Sequence, residues 1–277
     1  MDWVVATFYK FTPLAQPACW QAALRERCQS LGLRGTVLLA AEGLNATVAG
    51  SRQGIDQLLA WLQGNPEIGV FSHQESTTPQ PPFERMKVKL KGEIVSFGQP
   101  DGDPSQLRGT YIEPGDWNQL ITDPEVVVID SRNGFEVDLG TFKGAINPHT
   151  RAFGELPAYL NTHLSPTQHK KVAMFCTGGI RCEKATAYLL NQGFEQVYHL
   201  RGGILNYLNT VPEADSLWQG HCFVFDQRVA VDHHLQPGEY DLCGGCGYPV
   251  STADRAAPQY QPGLSCPHCY PTSETRP

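Results

Sequence analysis

No apolar run in the sequence approaches the ~20 residues that a membrane-spanning helix needs, so no membrane contact is expected. A basic leader is missing too. Met1-Asp2-Trp3 runs straight into a strand-like segment, so no export signal is read and a cytoplasmic protein is expected. Positive charge is not in excess: 21 Lys and Arg face 28 Asp and Glu, for a net charge of -7. That balance argues against a generally basic nucleic-acid binder and leaves only a local patch for RNA. The chain has no internal repeat, no NAD, flavin or haem motif, and no 2-His-1-carboxylate pattern. An even cysteine count is also absent. Nine cysteines, including two C-x-x-C pairs, favour thiol and metal chemistry in a reducing compartment over a disulfide framework.

What is present supports real cores: 277 residues with a hydrophobic fraction of 41% suggest two or three domains. Residues 3–10 read as a strand and residues 16–30 as a helix with Pro17 in its first turn. Two strands follow, at 35–41 and 45–49, joined by a hairpin turn at 41–44. Residues 51–64 form a second helix that Ser51 can cap. The β-α-β-β-α order requires one more strand and gives a ferredoxin-like α+β domain over residues 1–97. Residues 75–82, rich in Thr, Gln and Pro, read as a loop. The next segment alternates, with Arg85, Lys87, Lys89 and Lys91 on one face and Met86, Val88 and Leu90 on the other. The basic face is either plain solvated surface or a patch for RNA phosphates.

Residues 98–110, rich in Gly, Pro and Asp, mark a linker. Beyond them strands alternate with helices over residues 111–212: strands at 126–129, 144–146, 172–175 and 196–200, helices at 153–163, 183–191 and from 204. That order implies a parallel sheet covered on both faces, with its chemistry at the carboxyl ends of the strands. Cys176 falls at such an end. It follows the apolar run Val172 to Phe175 and precedes Thr177, Gly178, Gly179, Ile180, Arg181 and a helix. Loop amides, the helix N-terminus and Arg181 should stabilise a thiolate there. The glycines also serve tight-turn geometry. Arg181 has three readings: lowering the thiol pKa, holding phosphate, or pairing with a nearby carboxylate. Cys182, in the first helical turn, reads as either a packed cysteine or a second, resolving thiol. Lys184 would extend a basic rim toward RNA.

Residues 213–277 form a Pro-, Gly- and Cys-rich segment. Cys243-Gly-Gly-Cys246 and Cys266-Pro-His-Cys269, with 19 residues between the pairs, have the spacing of a zinc-ribbon-like site. Four thiolates close the shell, which favours a structural zinc over a catalytic one; four unligated thiols or a redox pair is the other reading. His221, Cys222, His233, His234 and His268 are weaker substitutes.

The second unit resembles a rhodanese domain through Asp130-x-Arg132, Glu136, Gly140, Gly144-Ala145, the Cys176 loop and Leu200-Arg-Gly-Gly-Ile204. Phosphatases of related fold place their arginine six residues after the cysteine. Here it is five, which suits a sulfane sulfur better than a phosphate. Asp130 and Arg132 read as structural. Across nearly the whole chain, further motifs are similar to the bacterial rhodanese-family tRNA uridine hydroxylases: Glu42-Gly-Leu-Asn45, Arg85-Met-Lys-Val-Lys89, Glu93-Ile-Val95, Trp117-Asn118, Cys176-Thr-Gly-Gly-Ile-Arg-Cys-Glu-Lys184 and Cys222-Phe-Val-Phe-Asp226. The resemblance implies an acylphosphatase-like first domain and Cys176 as the essential thiol. It also implies molecular oxygen as co-substrate, the tRNA anticodon arm as partner, and 5-hydroxyuridine at the wobble position as product. Two other functions stay open at this point: a thiosulfate or persulfide sulfurtransferase, and a zinc-stabilised RNA-binding protein.

Overall fold

The computed structural model describes residues 2–270. The first unit contains β1 (Trp3–Phe11), α1 (Pro17–Ser30), β2 (Arg34–Ala40), β3 (Gly43–Gly50), α2 (Arg52–Gln63), β4 (His73–Thr78) and β5 (Met86–Leu90). Its sheet runs β4-β1-β3-β2-β5, antiparallel except for β2 with β5. Pro17 opens α1, where a missing N–H costs nothing, and the Ser51 hydroxyl accepts from Gly54 N at 3.1 Å to cap α2.

Period-2 alternation divides the sheet. Val4, Ala6, Phe8, Val37, Leu39, Leu44, Ala46, Val48 and Val88 pack in a core with helix residues such as Trp20, Leu24, Ile55 and Leu58. The alternate positions, among them Val5, Thr7, Tyr9, Thr36, Leu38, Asn45 and Thr47, face a cavity on the other side. One sequence expectation fails here. Residues 75–78 are not loop but the end of β4, paired with β1 from Trp3↔Thr78 to Phe8↔His73. Their polar composition fits an edge strand, which needs little apolar alternation to be held by ladder hydrogen bonds.

Residues 98–110 pack along the second unit: Gly109 N donates to Thr186 Oγ1 (3.1 Å) and Asn191 Nδ2 to Asp101 O (2.7 Å). The second unit has β6 (Thr110–Ile112), α3 (Pro114–Ile121), β7 (Val126–Asp130), α4 (Gly134–Val137), β8 (Gly140–Phe142), α5 (Leu156–His163), β9 (Lys171–Phe175), α6 (Ile180–Asn191), β10 (Gln196–Leu200) and α7 (Gly203–Thr210). The sheet β6-β10-β9-β7 is parallel throughout. One apolar cluster, with Trp117, Ile204 and Tyr207 of α3 and α7, covers one face; another, with Leu156, Leu160, Ala185 and Leu189 of α5 and α6, covers the other. Residues 144–146 do not form the expected strand. The chain turns at Lys143 and Gly144, and only Ile146 bridges to Ile129. The strand forms instead at β8, which pairs with β11 (Trp218–Gly220).

The last segment adds two small hairpins, β12 (Cys222–Phe223) with β13 (Ala230–Val231) and β14 (Asp241–Leu242) with β15 (Pro249–Val250), then α8 (Thr252–Ala256). Residues 271–277 lie outside the described residues. Among the described residues, no helix is long and apolar enough to cross a membrane.

Candidate active site

β9 ends at Phe175, and the loop after it folds back on its own sulfur. Gly179 N donates to Cys176 Sγ at 3.1 Å. Gly179 takes φ +97°, open to glycine at little cost, and this bend directs the loop amides inward and starts α6. Gly203 supports the loop from below. A Cβ there would lie 2.4 Å from Cys176 O and 2.5 Å from Thr177 O. With that space empty, Ile204 N and Leu205 N donate to the same two carbonyls at 2.9 and 3.1 Å. The Leu200-Arg-Gly-Gly-Ile204 motif thus exists to let α7 meet the Cys176 loop.

Cys176 is fully buried, and burial alone would raise its pKa. Burial is outweighed by the Cys182 thiol donating to the sulfur, the Arg181 charge, and the amides of Cys182 and Arg181, which together bring it down to about 6. Cys182 moves the opposite way: burial and the adjacent thiolate hold it well above the ordinary range, so it stays a neutral donor. Its sulfur also sits 3.4 Å from Ser131 Oγ, whose hydroxyl donates to Phe175 O. Alkylation of the protein by iodoacetamide should therefore show a Cys176 rate that rises from pH 5 to 7 and is flat above, because the thiolate fraction saturates past a pKa of about 6. A midpoint near the free-thiol value of about 8.5 would contradict this.

Arg181 has the carboxylate partner foreseen among its three readings. Its guanidinium donates to both oxygens of Glu136, at 2.6 and 2.8 Å, and to Thr177 Oγ1 at 3.3 Å. Glu136 is fully buried and Arg181 nearly so. This pair fixes the guanidinium in place, so the side chain acts on the sulfur as a fixed charge. Asp130 and Arg132 form a second buried pair (2.7 Å). Arg132 also donates to Gly140 O and Thr141 to Asp130, which ties β7 to β8 as a structural role requires.

Lys184 is a correction. It is 3% exposed and paired with Glu42 (2.9 Å) and Glu93 (2.8 Å) of the first unit, so it offers nothing to RNA. Its neighbour Glu183 accepts from Tyr9 at 2.8 Å and from Tyr111. The first turn of α6 is thus the joint between the two units. The motifs around Glu42 and Glu93 supply that joint: Ile94 N donates to Glu42 (2.7 Å), Asn45 Nδ2 to Ile94 O (3.0 Å), and Phe97 packs on Phe153 and Tyr188.

The joint creates a cavity of about 760 Å³ between the β-sheet and the Cys176 loop. Cys176, Thr177, Gly178, Ile180 and Arg181 form its floor, and Thr7, Tyr9 and Asn45 stand across it. Thr7 reaches to 3.6 Å of a Cβ built on Gly178. The size is that of a site for a substantial organic ligand. Arg85, Lys87, Lys89 and Lys91 are all exposed. Lys87 and Lys89 pair in register with Thr36 and Leu38, both cavity-facing, so their side chains leave the sheet on the cavity side. The sequence did not reveal that Tyr9 and Phe225 line this cavity. Tyr9 carried no motif, and Phe225 stood inside one without a role.

At the far end, the sulfurs of Cys243, Cys246, Cys266 and Cys269 lie within 4.8 Å of one another. Three of the separations are 3.9, 3.8 and 3.9 Å. A tetrahedron with zinc–sulfur bonds of ~2.3 Å has edges of about 3.8 Å, so the donor set fits zinc. The histidine substitutes and Cys222 stand outside this cluster among the described residues.

The comparisons agree with this layout. Residues 3–94 match the UPF0176 acylphosphatase-like domain and residues 113–210 the rhodanese-like domain. A relative from Picosynechococcus named tRNA uridine(34) hydroxylase is 52% identical over 268 residues, covering 97% of this chain and 90% of its own length. The chain belongs to the tRNA uridine(34) hydroxylase family. A second relative of that name, from Teredinibacter turnerae, is 51% identical over 269 residues, covering 97% of this chain and 84% of the relative. In this family setting, the Cys176 loop is a rhodanese-type site roofed by an acylphosphatase-like sheet, and the cavity belongs to both domains.

Proposed function

We propose that the protein is an oxidoreductase that hydroxylates uridine 34 of tRNA at C5, with molecular oxygen as co-substrate and Cys176 as the catalytic thiolate. The observation that supports it most is the preformed thiolate facing a nucleotide-sized cavity walled by a second domain, in a chain that relatives of this name match over 97% of its length. Uracil must leave the anticodon stack to enter such a cavity. C5 is then made electron-rich if Cys176 Sγ adds to C6, a role that a buried thiolate held by amides suits. The new C–O bond forms at C5. Loss of the C5 proton expels the thiolate and restores the ring, and the second oxygen atom leaves as water, its two electrons and two protons coming from a pair of external small-molecule thiols that are oxidised to their disulfide. Labelled dioxygen should place its isotope in the 5-hydroxyl of the product nucleoside. Label entering from water instead would overturn the oxygen route.

The anticodon arm is proposed to lie along β5, and such a substrate implies a cytoplasmic protein. Lys87→Gln with Lys89→Gln should weaken tRNA binding about tenfold and reduce the slope of log affinity against log salt by about 2, one for each lost phosphate contact. An unchanged slope would place the RNA elsewhere. The cysteine cluster is proposed to hold one structural zinc, which would contribute folding energy and no chemistry at Cys176.

A second reading rests on the five-residue step from Cys176 to Arg181, whose amides suit a persulfide. Thiocyanate formation from thiosulfate and cyanide at high turnover, independent of RNA, would favour a sulfurtransferase.

A further inference from the structure

Cys222-Phe-Val-Phe-Asp226 lies outside both matched domains, yet it forms part of the cavity. The chain from β12 to β13 crosses from one unit to the other. Val224 N donates to Val229 O (2.9 Å) to close the turn, and Gln227 N donates to Pro82 O (2.9 Å) of the first unit. Arg228 grips Asp226 through two donors (2.8 and 2.6 Å) and donates to Ser76 Oγ on β4 at 2.8 Å. Both charged side chains of this clamp are buried. Such a clamp is costly to desolvate, so its place here fits a turn held in one position.

What the clamp holds out is Phe225. Phe225 is 63% exposed, although Phe223 behind it is buried and packs edge-on at 5.0 Å, and Phe135 packs on Phe223 at 5.1 Å. Phe225 lines the same cavity as Cys176, and the Arg181 guanidinium carbon lies 5.9 Å from its ring centre. A single exposed apolar side chain is ordinary on a protein surface. A rigidly mounted aromatic ring at the rim of an active-site cavity has the form of a stacking platform.

We propose that Phe225 stacks on the pyrimidine that enters the cavity and holds its plane above the Cys176 loop. This deepens the proposed function, since the stacked base is the target uridine. Stacking needs only a planar π-face, so the platform would bind the base, while its identity would be read elsewhere in the cavity.

The test is a binding titration of the full chain, without oxygen, using an anticodon stem–loop RNA carrying uridine 34 and the same RNA abasic at that position. Phe225→Ala and Phe225→Leu should each weaken binding of the uridine RNA by about tenfold or more, and Phe225→Tyr should stay within about twofold of wild type. On the abasic RNA all four proteins should bind alike. Wild-type affinity in Phe225→Ala, or an equal loss on both RNAs, overturns stacking on the target base. Formation of 5-hydroxyuridine by the wild-type protein is scored separately in cells. Product without a Phe225 effect removes the platform and leaves the activity standing, whereas no product from wild type removes the activity.

Discussion

Arg181→Met should do two things at once: raise the Cys176 pKa well above about 6 and destabilise the rhodanese-like domain by about 3–5 kcal/mol. The first follows from charge. Arg181 is one of the groups that hold the thiolate, so its removal lets burial dominate and push the thiol up. At pH 7 a thiol with pKa about 6 is roughly nine-tenths ionised, and one near 8.5 only a few per cent. The reactive fraction should fall by more than tenfold. The second follows from what is left behind. Glu136, fully buried, would lose both guanidinium donors, and burial would then push its carboxyl up. Such an orphaned carboxylate is far costlier than the pair is beneficial. Glu136→Gln with Arg181→Met separates the effects. With both charges gone, chemical denaturation should recover most of the lost stability, while iodoacetamide kinetics should still report a raised pKa. A double variant that restored low-pH alkylation would show that Arg181 acts through the fold and not through its charge. Arg181→Lys would not substitute, because one ammonium cannot span both Glu136 oxygens.

Removing the metal should have the other large effect. The core of the last segment is Cys243, Val250 and Cys266, with Tyr248, Tyr260 and Cys269 partly buried around it. So few apolar groups cannot offset the ordering entropy of about 30 residues at ~1–2 kcal/mol each. Zinc would supply the difference, since its binding free energy becomes folding free energy, on the order of 10 kcal/mol. A strong chelator, or Cys246→Ser with Cys269→Ser, should release one zinc per chain and open the segment to protease while the other two domains stay protected. Tyr248 donates to Asp138 and packs near Phe135, which supports Phe223. Tyr248 therefore couples the metal segment to the cavity wall, and metal loss should also lower tRNA modification. A purified protein free of zinc whose last segment resists protease would contradict both points.

What could be read from the sequence was what is local. The Cys176 loop is a strand end, a turn and a helix start, and each of its donors lies within six residues of the sulfur. The zinc pattern is likewise two tight C-x-x-C turns. The parallel sheet followed from alternation alone. The errors arose where a distant partner decides the outcome. Lys184 looked like a rim lysine because nothing near it in sequence shows that Glu42 and Glu93 close over it. The polar run at 75–78 became a strand because β1 offered it a free edge. Tyr9 and Phe225 enter the site only when three stretches of chain converge on one cavity, a nonlocal fact that no periodicity carries.

The central claim is that Cys176 performs chemistry on tRNA. The most direct measurement is mass spectrometry of nucleosides from tRNA of cells that lack their own tRNA uridine hydroxylase and express either wild-type protein or Cys176→Ala at equal levels. The wild type should yield 5-hydroxyuridine or its downstream derivatives, and Cys176→Ala should yield none. Equal amounts from both would contradict the account.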